Sequence, residues 1–274
     1  VGQNACVEVD GAAYWMSENG FFRYAGKLES LPCLVEDFVY NDINLESGNQ
    51  MVSAGLNNLF GEVMWFYPTS TSSVVNRMVS YNYFDSSPRR PVWTNGTLSR
   101  TMWEDSAVFG SPHATEYDAD TDTSFDVVGN TEGKTTYYQH ETGTDQNKNG
   151  VITAVTANIS SGDFDISQRR SITGQTTGAA DLRGDGEFLM KIRRFIPDFI
   201  SQTGSTRITL ELRNFPNDSQ SSSALGPFDI TSSTQKVDTR ARARAVALKI
   251  ENTAASQSWK LGTFRLDIQP DGRR

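Results

Sequence analysis

Short aromatic-rich segments separated by polar turns constrain the fold of this chain more than any other feature of its sequence. Three of them, residues 62–68, 76–84 and 92–98, follow one another with Ser/Thr-rich or Pro-containing turns in between. An earlier copy, residues 11–24, contains two such segments joined by a tight turn. Trp15 and Trp65 lie about fifty residues apart, which is close to the length of a β-propeller blade. The repetition predicts a first portion built from antiparallel blades.

Alternation of apolar and polar residues predicts further strands in the second half of the chain. Residues 207–213 and 264–268 each place apolar side chains on one face, and residues 151–159 are expected to form another inward-facing row. One short helix is expected from a start signal at residues 30–32 to about Ile43. We therefore predict an all-β fold, with propeller-like blades over residues 1–165 and a β-sandwich-like portion over residues 166–274.

Composition and charge limit the classes of protein to which the chain could belong. No apolar run approaches the roughly eighteen residues needed to span a bilayer, so no membrane insertion is expected. The net charge of −8 argues against tight binding of nucleic acid, although it suits a surface along which DNA slides. Cys6 and Cys33 are expected to be free, buried thiols. Because the sequence starts at Val1 with no leader, we expect it to be a piece of a longer polypeptide.

Two acidic loops have part of the spacing of a calcium site. Asp145, Asn147 and Asn149 alternate and precede Gly150, but Thr156 stands where the bidentate carboxylate is needed. The second loop carries three aspartates and has threonine in place of the glycine: Asp118, Asp120 and Asp122. A polar hairpin turn explains the first loop and solvated edge charges explain the second, and we favour these interpretations over metal binding. No metal or cofactor is predicted, and calcium binding remains the alternative.

Candidate catalytic groups are few. His113 and His140 accompany no recognisable nucleophile motif. Asp163 and Asp165 lie on one side of a predicted strand and could suit glycoside hydrolysis, so a carbohydrate-binding or glycan-processing propeller is the alternative function. Residues 183–185 match an integrin-binding tripeptide, which would suit a secreted adhesin, but a turn explains them equally well. We predict no enzymatic activity and assign no catalytic residue.

Residues 240–250 contain the most distinctive charge pattern. As a single strand they would place Arg240, Arg242 and Arg244 on one face, in line with apolar residues further on. The other face would be a row of alanines, which permits close approach of another sheet or subunit. The arginines could contact DNA phosphates or pair with carboxylates of a neighbouring element, and we favour the pairing. They are therefore the candidate interface or DNA-facing residues.

The order of these short motifs resembles that of one protein family, the tail nozzle or hub proteins of short-tailed bacteriophages, also called tubular tail proteins. The resemblance covers nearly the whole chain and is to the C-terminal portion of the longer family members. The segments that carry it are residues 13–16, 22–24, 31–33, 39–44, 62–68, 81–83, 96–103, 161–166, 193–198, 240–244 and 265–273.

This resemblance implies a virion structural protein, assembled in the host cytoplasm as a ring, usually of six copies. Such a ring would surround the channel for transient passage of viral DNA, attach to a tail adaptor protein and support tail fibres or tailspikes. In this interpretation, Trp15, Trp65, Trp93 and Trp103 cover the inner faces of stiff sheets. The resemblance implies no chemical activity.

Overall fold

The computed structural model describes residues 1–46, 49–105, 108–118, 134–148, 150–166, 188–215, 218 and 224–272, which divide into the compact units Val1–Thr142 and Gly143–Arg274. The N-terminal unit contains the elements β1 (Cys6–Val9), β2 (Ala12–Ser17), β3 (Gly20–Tyr24), β4 (Leu28–Leu31), α1 (Glu36–Tyr40), a 3-10 turn (Asn49–Met51), β5 (Ser53–Asn57), β6 (Glu62–Tyr67), β7 (Arg77–Asn82), β8 (Trp93–Gly96), β9 (Met102–Glu104), β10 (His113–Asp118) and β11 (Lys134–Gln139).

The C-terminal unit contains β12 (Asp145–Lys148), β13 (Val151–Ala154), β14 (Asn158–Ser160), β15 (Met190–Ile196), β16 (Phe199–Thr203), β17 (Thr206–Arg213), β18 (Ala224–Ile230), β19 (Val237–Ala243), β20 (Ala245–Glu251), β21 (Ser258–Leu261) and β22 (Arg265–Pro270). The expected all-β fold is confirmed, because helical structure within the described ranges is confined to α1 and the 3-10 turn.

Three antiparallel sheets make up the described part of the N-terminal unit. The first sheet has the order β1-β2-β3-β4 and the second has the order β5-β6-β7-β8, so in each of them consecutive strands are neighbours. The third sheet has the order β11-β10-β9. Trp15 lies in β2 and Trp65 in β6, which is the second strand of its sheet in both cases. The repeat seen in the sequence thus corresponds to two successive four-stranded sheets.

The second sheet is buried on both faces. On one face, Trp65 and Tyr67 join Tyr14 and Phe21 of the first sheet in one core, where the ring centroids of Phe21 and Trp65 are 4.9 Å apart. On the other face, Met64 and Phe66 pack with Trp103 and Ala114 of the third sheet. This double burial explains why β6 is a continuous apolar run instead of an alternating one.

Trp15 does not take part in that core, and here the sequence-based expectation is wrong. It lies half-buried on the face of β2 opposite to Tyr14 and Met16, where its ring stacks on Phe22 at a centroid distance of 5.8 Å. Trp93 packs against the core shared by the first two sheets, and Trp103 belongs to the core between the second and third sheets. The two tryptophans of the repeat therefore occupy equivalent strands, but Trp65 is covered by the first sheet, whereas Trp15 lies on the face of the first sheet that is turned away from this core.

Two larger sheets of the C-terminal unit share one core. The fourth sheet has the order β14-β20-β17-β18 and the fifth has the order β19-β15-β22. Ile208 and Leu210 of the fourth sheet are fully buried with Ile192 and Phe195 of the fifth, which confirms the alternation read from residues 207–213. Leu266 and its alternating neighbours also pack partly buried against this core, as predicted. The remaining strands form the pairs β12-β13 and β16-β21.

The predicted inward row over residues 151–159 is wrong. The segment is divided between β13 and β14, and Val151, Val155 and Ile159 are 65%, 51% and 51% exposed. The three residues between the strands interrupt the alternation, and β13 pairs with β12 alone among the described strands. Two-stranded hairpins of this kind bury little apolar surface on their own.

The division between the units lies earlier in the chain than the boundary predicted at residues 165 and 166. β14 pairs with β20, and Phe164 forms a further bridge with Val246. These contacts bring residues 158–164 into the C-terminal unit. The reason is non-local: the partner strand lies about ninety residues further along the chain, beyond the reach of local composition.

The helix and the thiols differ in detail from the predictions. α1 has only five residues, because Ser30 and Leu31 belong to β4, where Leu31 pairs with Phe21. Cys6 and Cys33 are free as expected, but Cys6 is exposed and Cys33 only half-buried. Partial burial raises the pKa of the Cys33 thiol to about 11.

In the described part of the chain no helix has the length and apolarity required to cross a bilayer.

Candidate interface on the fifth sheet

Residues 240–250 are not the single strand that the sequence predicted. The chain leaves the fifth sheet after Ala243 and enters the fourth sheet at Ala245, with Arg244 at the crossing. Before the crossing the alanines face the core, and after it Val246 and Ile250 do. A continuous strand would have brought the arginines onto the same side as Val246, so the break at Arg244 keeps them out of the core.

The crossing separates the three candidate arginines. Arg240 and Arg242 are exposed on the outer face of the fifth sheet, whereas Arg244 is half-buried and its backbone N–H donates to the carbonyl of Arg213 at 3.0 Å. Ala241 and Ala243 are buried in the core of their own unit. The alanine row therefore serves internal packing, and those two residues offer no surface to another subunit.

A β-bulge adds further cations to this outer face. The register of β15 shifts between Ile192 and Arg194, so that Ile192 and Phe195 both reach the core although two residues separate them. Arg193 and Arg194 are then both turned outward, beside Lys191, which pairs with Arg242 of β19. We define the cationic face as the outward-facing cations of the fifth sheet: Lys191, Arg193, Arg194, Arg240, Arg242 and Arg265.

Aspartates on or beside the same sheet neutralise only part of this charge. Arg194 Nε lies 3.5 Å from carboxylate oxygens of both Asp238 and Asp267, and Arg242 Nε lies 2.6 Å from Asp271. Arg265 approaches Asp198 at 3.9 Å. Exposed pairs of this kind contribute about 0–1 kcal/mol each, so they orient side chains more than they stabilise the fold.

Three cations of the face remain without an ion pair to any described residue. They are Lys191, Arg193 and Arg240, all of them exposed. The favoured prediction, pairing of the arginines with carboxylates, thus describes Arg242 but not Arg240. The sequence did not predict Lys191 and Arg193 as part of this face. The bulge that turns them to the same side as Arg240 leaves no mark in the alternation of apolar and polar residues.

The distribution of charge along the sequence is a signal that could have pointed to this face. Residues 1–142 contain 7 Lys and Arg against 19 Asp and Glu, a net charge of −12. Residues 143–274 contain 18 against 14, a net charge of +4. The acidic total of the chain therefore conceals a cationic C-terminal unit.

The two histidines lie in the N-terminal unit, close to the third sheet. Arg100, which is 3% exposed, donates through Nε to His140 Nε2 at 2.8 Å and through Nη1 to Glu116 at 3.3 Å. Its guanidinium carbon lies 4.0 Å from the centroid of the Tyr138 ring. Burial, followed by the positive charge of Arg100, lowers the pKa of His140 to about 4. The lowered pKa keeps His140 neutral near pH 7, so that its Nε2 accepts the hydrogen bond from Arg100.

The other histidine, His113, is hydrogen-bonded to the hydroxyl of Tyr137.

Acidification is expected to destabilise the N-terminal unit through His140. Since its pKa is about 4 when folded and about 6.5 when unfolded, the unfolded state gains a proton first. The free energy of unfolding should therefore fall between pH 6.5 and 4 and level off below that. We expect a contribution of about 1–2 kcal/mol, because the ring is only partly buried.

Urea unfolding at several pH values would measure this dependence. His140→Gln retains an acceptor for Arg100 and should remove its share of the slope, whereas His113→Gln should retain it. An identical pH dependence in wild type and His140→Gln would contradict the assignment.

The two loops with part of a calcium spacing have turn contacts where they are described. The Asp145 carboxylate accepts hydrogen bonds from the backbone N–H of Ser256 at 2.9 and 2.8 Å, and the Asn147 side chain accepts one from Gly150 at 2.9 Å. Asn149 lies outside the described residues, as do Asp120 and Asp122, while Asp118 ends β10. Among the described residues, no group of three or more His, Cys, Asp or Glu is arranged to hold a metal.

Of the acid pair and the tripeptide, Asp163 is placed by an ion pair. Asp163 lies 3.0 Å from Arg213 Nη1, and residues 183–185 are outside the described ranges. The N-terminal unit has an open cleft of about 320 Å³. Its described lining includes no carboxylate and consists of Asn4, Gln50, Met51, Ser53, Ser73, Val74, Val75, Thr101 and Tyr117. This lining offers no acid pair for glycoside hydrolysis.

Comparison of the sequence with protein-family models and with curated proteins yields no match in either case.

Proposed function

We propose that the chain is a structural subunit of the tail nozzle or hub of a short-tailed bacteriophage, a ring of copies around the channel through which the genome leaves. In this role it belongs to the virion, is assembled in the host cytoplasm, and joins a tail adaptor protein to fibres or tailspikes. Its function is mechanical, and no catalytic step is part of it.

The observation that carries the proposal is the double burial of the second sheet. Val63, Met64, Trp65, Phe66 and Tyr67 are each at most 2% exposed, so five consecutive side chains of β6 are packed from both sides. Close-packed protein interiors resist deformation. Such a block suits a wall element that must keep its shape while a polymer passes.

The resemblance of the motifs adds support from positions spread along the chain. Two of them lie at positions that matter for the fold: residues 62–68 include the doubly buried β6, and residues 193–198 begin at the bulge of β15. These two motifs therefore have a role in core packing and strand geometry, in addition to the resemblance that they carry. Large interfaces, above about 2,000 Å² each, would hold such a ring together.

Electron microscopy and mass photometry of the full chain test the proposal. We expect closed rings, with six copies as the leading mass. A glycan array should be silent, which separates the scaffold from the carbohydrate-binding alternative. A particle that stays monomeric at about 10 μM in both low and moderate salt, or a chain that binds glycans as a monomer, would overturn the proposal.

A further inference from the structure

The opposite charges of the two units suggest how copies of the chain meet. A ring of more than two copies needs two different, complementary surfaces on each subunit, because each copy contacts its neighbours head to tail. The chain carries a net charge of −12 in its N-terminal unit and +4 in its C-terminal unit. Complementary potentials favour the docking of unlike surfaces and oppose the docking of like ones.

We propose that the cationic face of the fifth sheet is the surface that docks on the acidic N-terminal unit of a second copy. This inference rests on the proposed function, whose subunit contact it specifies. Lys191, Arg193 and Arg240 carry it, because their charges are exposed and are not neutralised by described residues. They stand on paired strands of one sheet, so their spacing is held by the backbone.

The chemistry of the face favours a protein partner over a nucleic acid. Asp238, Asp267 and Asp271 are interleaved with the cations and would repel phosphates at the same surface. A protein surface can present cations to these aspartates as well as carboxylates to the free cations. Pairing of the face with its own copy would oppose Arg240 and Lys191 to like charges. The acidic unit of another copy avoids both conflicts.

Carbodiimide cross-linking of a mixture of ¹⁴N- and ¹⁵N-labelled full chains tests the contact directly. The reagent joins a lysine amine to a carboxylate in contact with it, and mixed-isotope peptide pairs identify contacts between copies. We expect Lys191 to be joined to carboxylates within residues 1–142. Mixed-isotope pairs that join Lys191 only to residues 143–274 would overturn the inference.

A matched pair of charge reversals provides the second readout. Lys191→Glu should weaken self-association at least about fivefold, and added salt should weaken the wild type in the same direction. Lys260→Glu is the control, since Lys260 is an exposed lysine of β21 in the same unit. It should change association less than about twofold. Circular dichroism of both variants checks that they fold.

The outcomes separate this inference from the proposed function. Rings that form while Lys191→Glu assembles like Lys260→Glu would overturn the contact and leave the ring intact. Loss of binding to a labelled DNA duplex in Lys191→Glu, with assembly unchanged, would assign the face to phosphates and also overturn it. Absence of any self-association would overturn both.

Discussion

Replacing Trp65 with alanine is expected to lower the free energy of unfolding of the N-terminal unit by about 3–5 kcal/mol. Trp65 is fully buried between the first and second sheets, with its ring centroid 4.9 Å from that of Phe21 and 6.1 Å from that of Trp93. Its Nε1–H donates to the carbonyl of Ala5 at 3.0 Å. The substitution removes the largest side chain of this core and leaves a cavity and an unpaired acceptor.

Trp15→Ala is the matched control for this experiment. Trp15 occupies the equivalent strand of the preceding sheet but lies half-buried on the face turned away from the shared core, where it stacks on Phe22. Its removal should cost no more than about 1.5 kcal/mol. Urea unfolding followed by circular dichroism measures both variants. Equal losses in the two would show that the position in the repeat, and not burial beneath a neighbouring sheet, governs their contributions.

Replacing Arg100 with alanine should destabilise the N-terminal unit by about 3 kcal/mol or more. The side chains of Arg100 and Glu116 are only 4% and 15% exposed. Loss of the guanidinium leaves the Glu116 carboxylate without this cation in a site of low solvent access, and it removes the donor to His140 and the cation over Tyr138.

The control for Arg100 is an ion pair of similar length on the surface. Arg207 Nε lies 3.2 Å from Asp229 in the C-terminal unit, with the two side chains 34% and 61% exposed. Arg207→Ala should cost less than about 1 kcal/mol. Thermal unfolding compares the two variants against wild type. A loss for Arg100→Ala as small as that for Arg207→Ala would mean that the buried network does not stabilise the fold.

A double substitution examines how the Arg100 effect arises. Arg100→Met together with Glu116→Gln removes both charges and should recover part of the stability lost in Arg100→Ala, because no carboxylate is then deprived of the Arg100 cation in a site of low solvent access. If the double variant is no more stable than the single one, the loss comes from packing of the arginine stem and from its neutral hydrogen bonds.

The class of the fold could be predicted from the sequence, because it depends on local periodicity. Alternation over residues 207–213 and the aromatic run of β6 are properties of neighbouring residues, and both form strands. The blade-like repeat was also visible, and it corresponds to the first two sheets. The arrangement of these sheets as a propeller and of the later ones as a sandwich remains a prediction.

The candidate site was only partly predictable, because two local irregularities control it. The crossing at Arg244 takes one of three predicted arginines off the outer face, and the bulge of β15 brings Lys191 and Arg193 onto it. Neither irregularity has a reliable local pattern, since both result from the need to bury Ile192, Phe195 and the residues after the crossing. Burial of Arg100 likewise depends on strands that are distant in sequence.

Residue order thus established strand content, the approximate repeat and the acidic charge total, all of which follow from composition and spacing along the chain. The pairing of β14 with β20, the unequal burial of Trp15 and Trp65, and the grouping on one sheet of cations that have no ion pair to a described residue are set by the tertiary structure. The physical reason is that a strand has two faces and two edges. Which face is buried and which edge is paired depend on contacts between residues far apart in the chain.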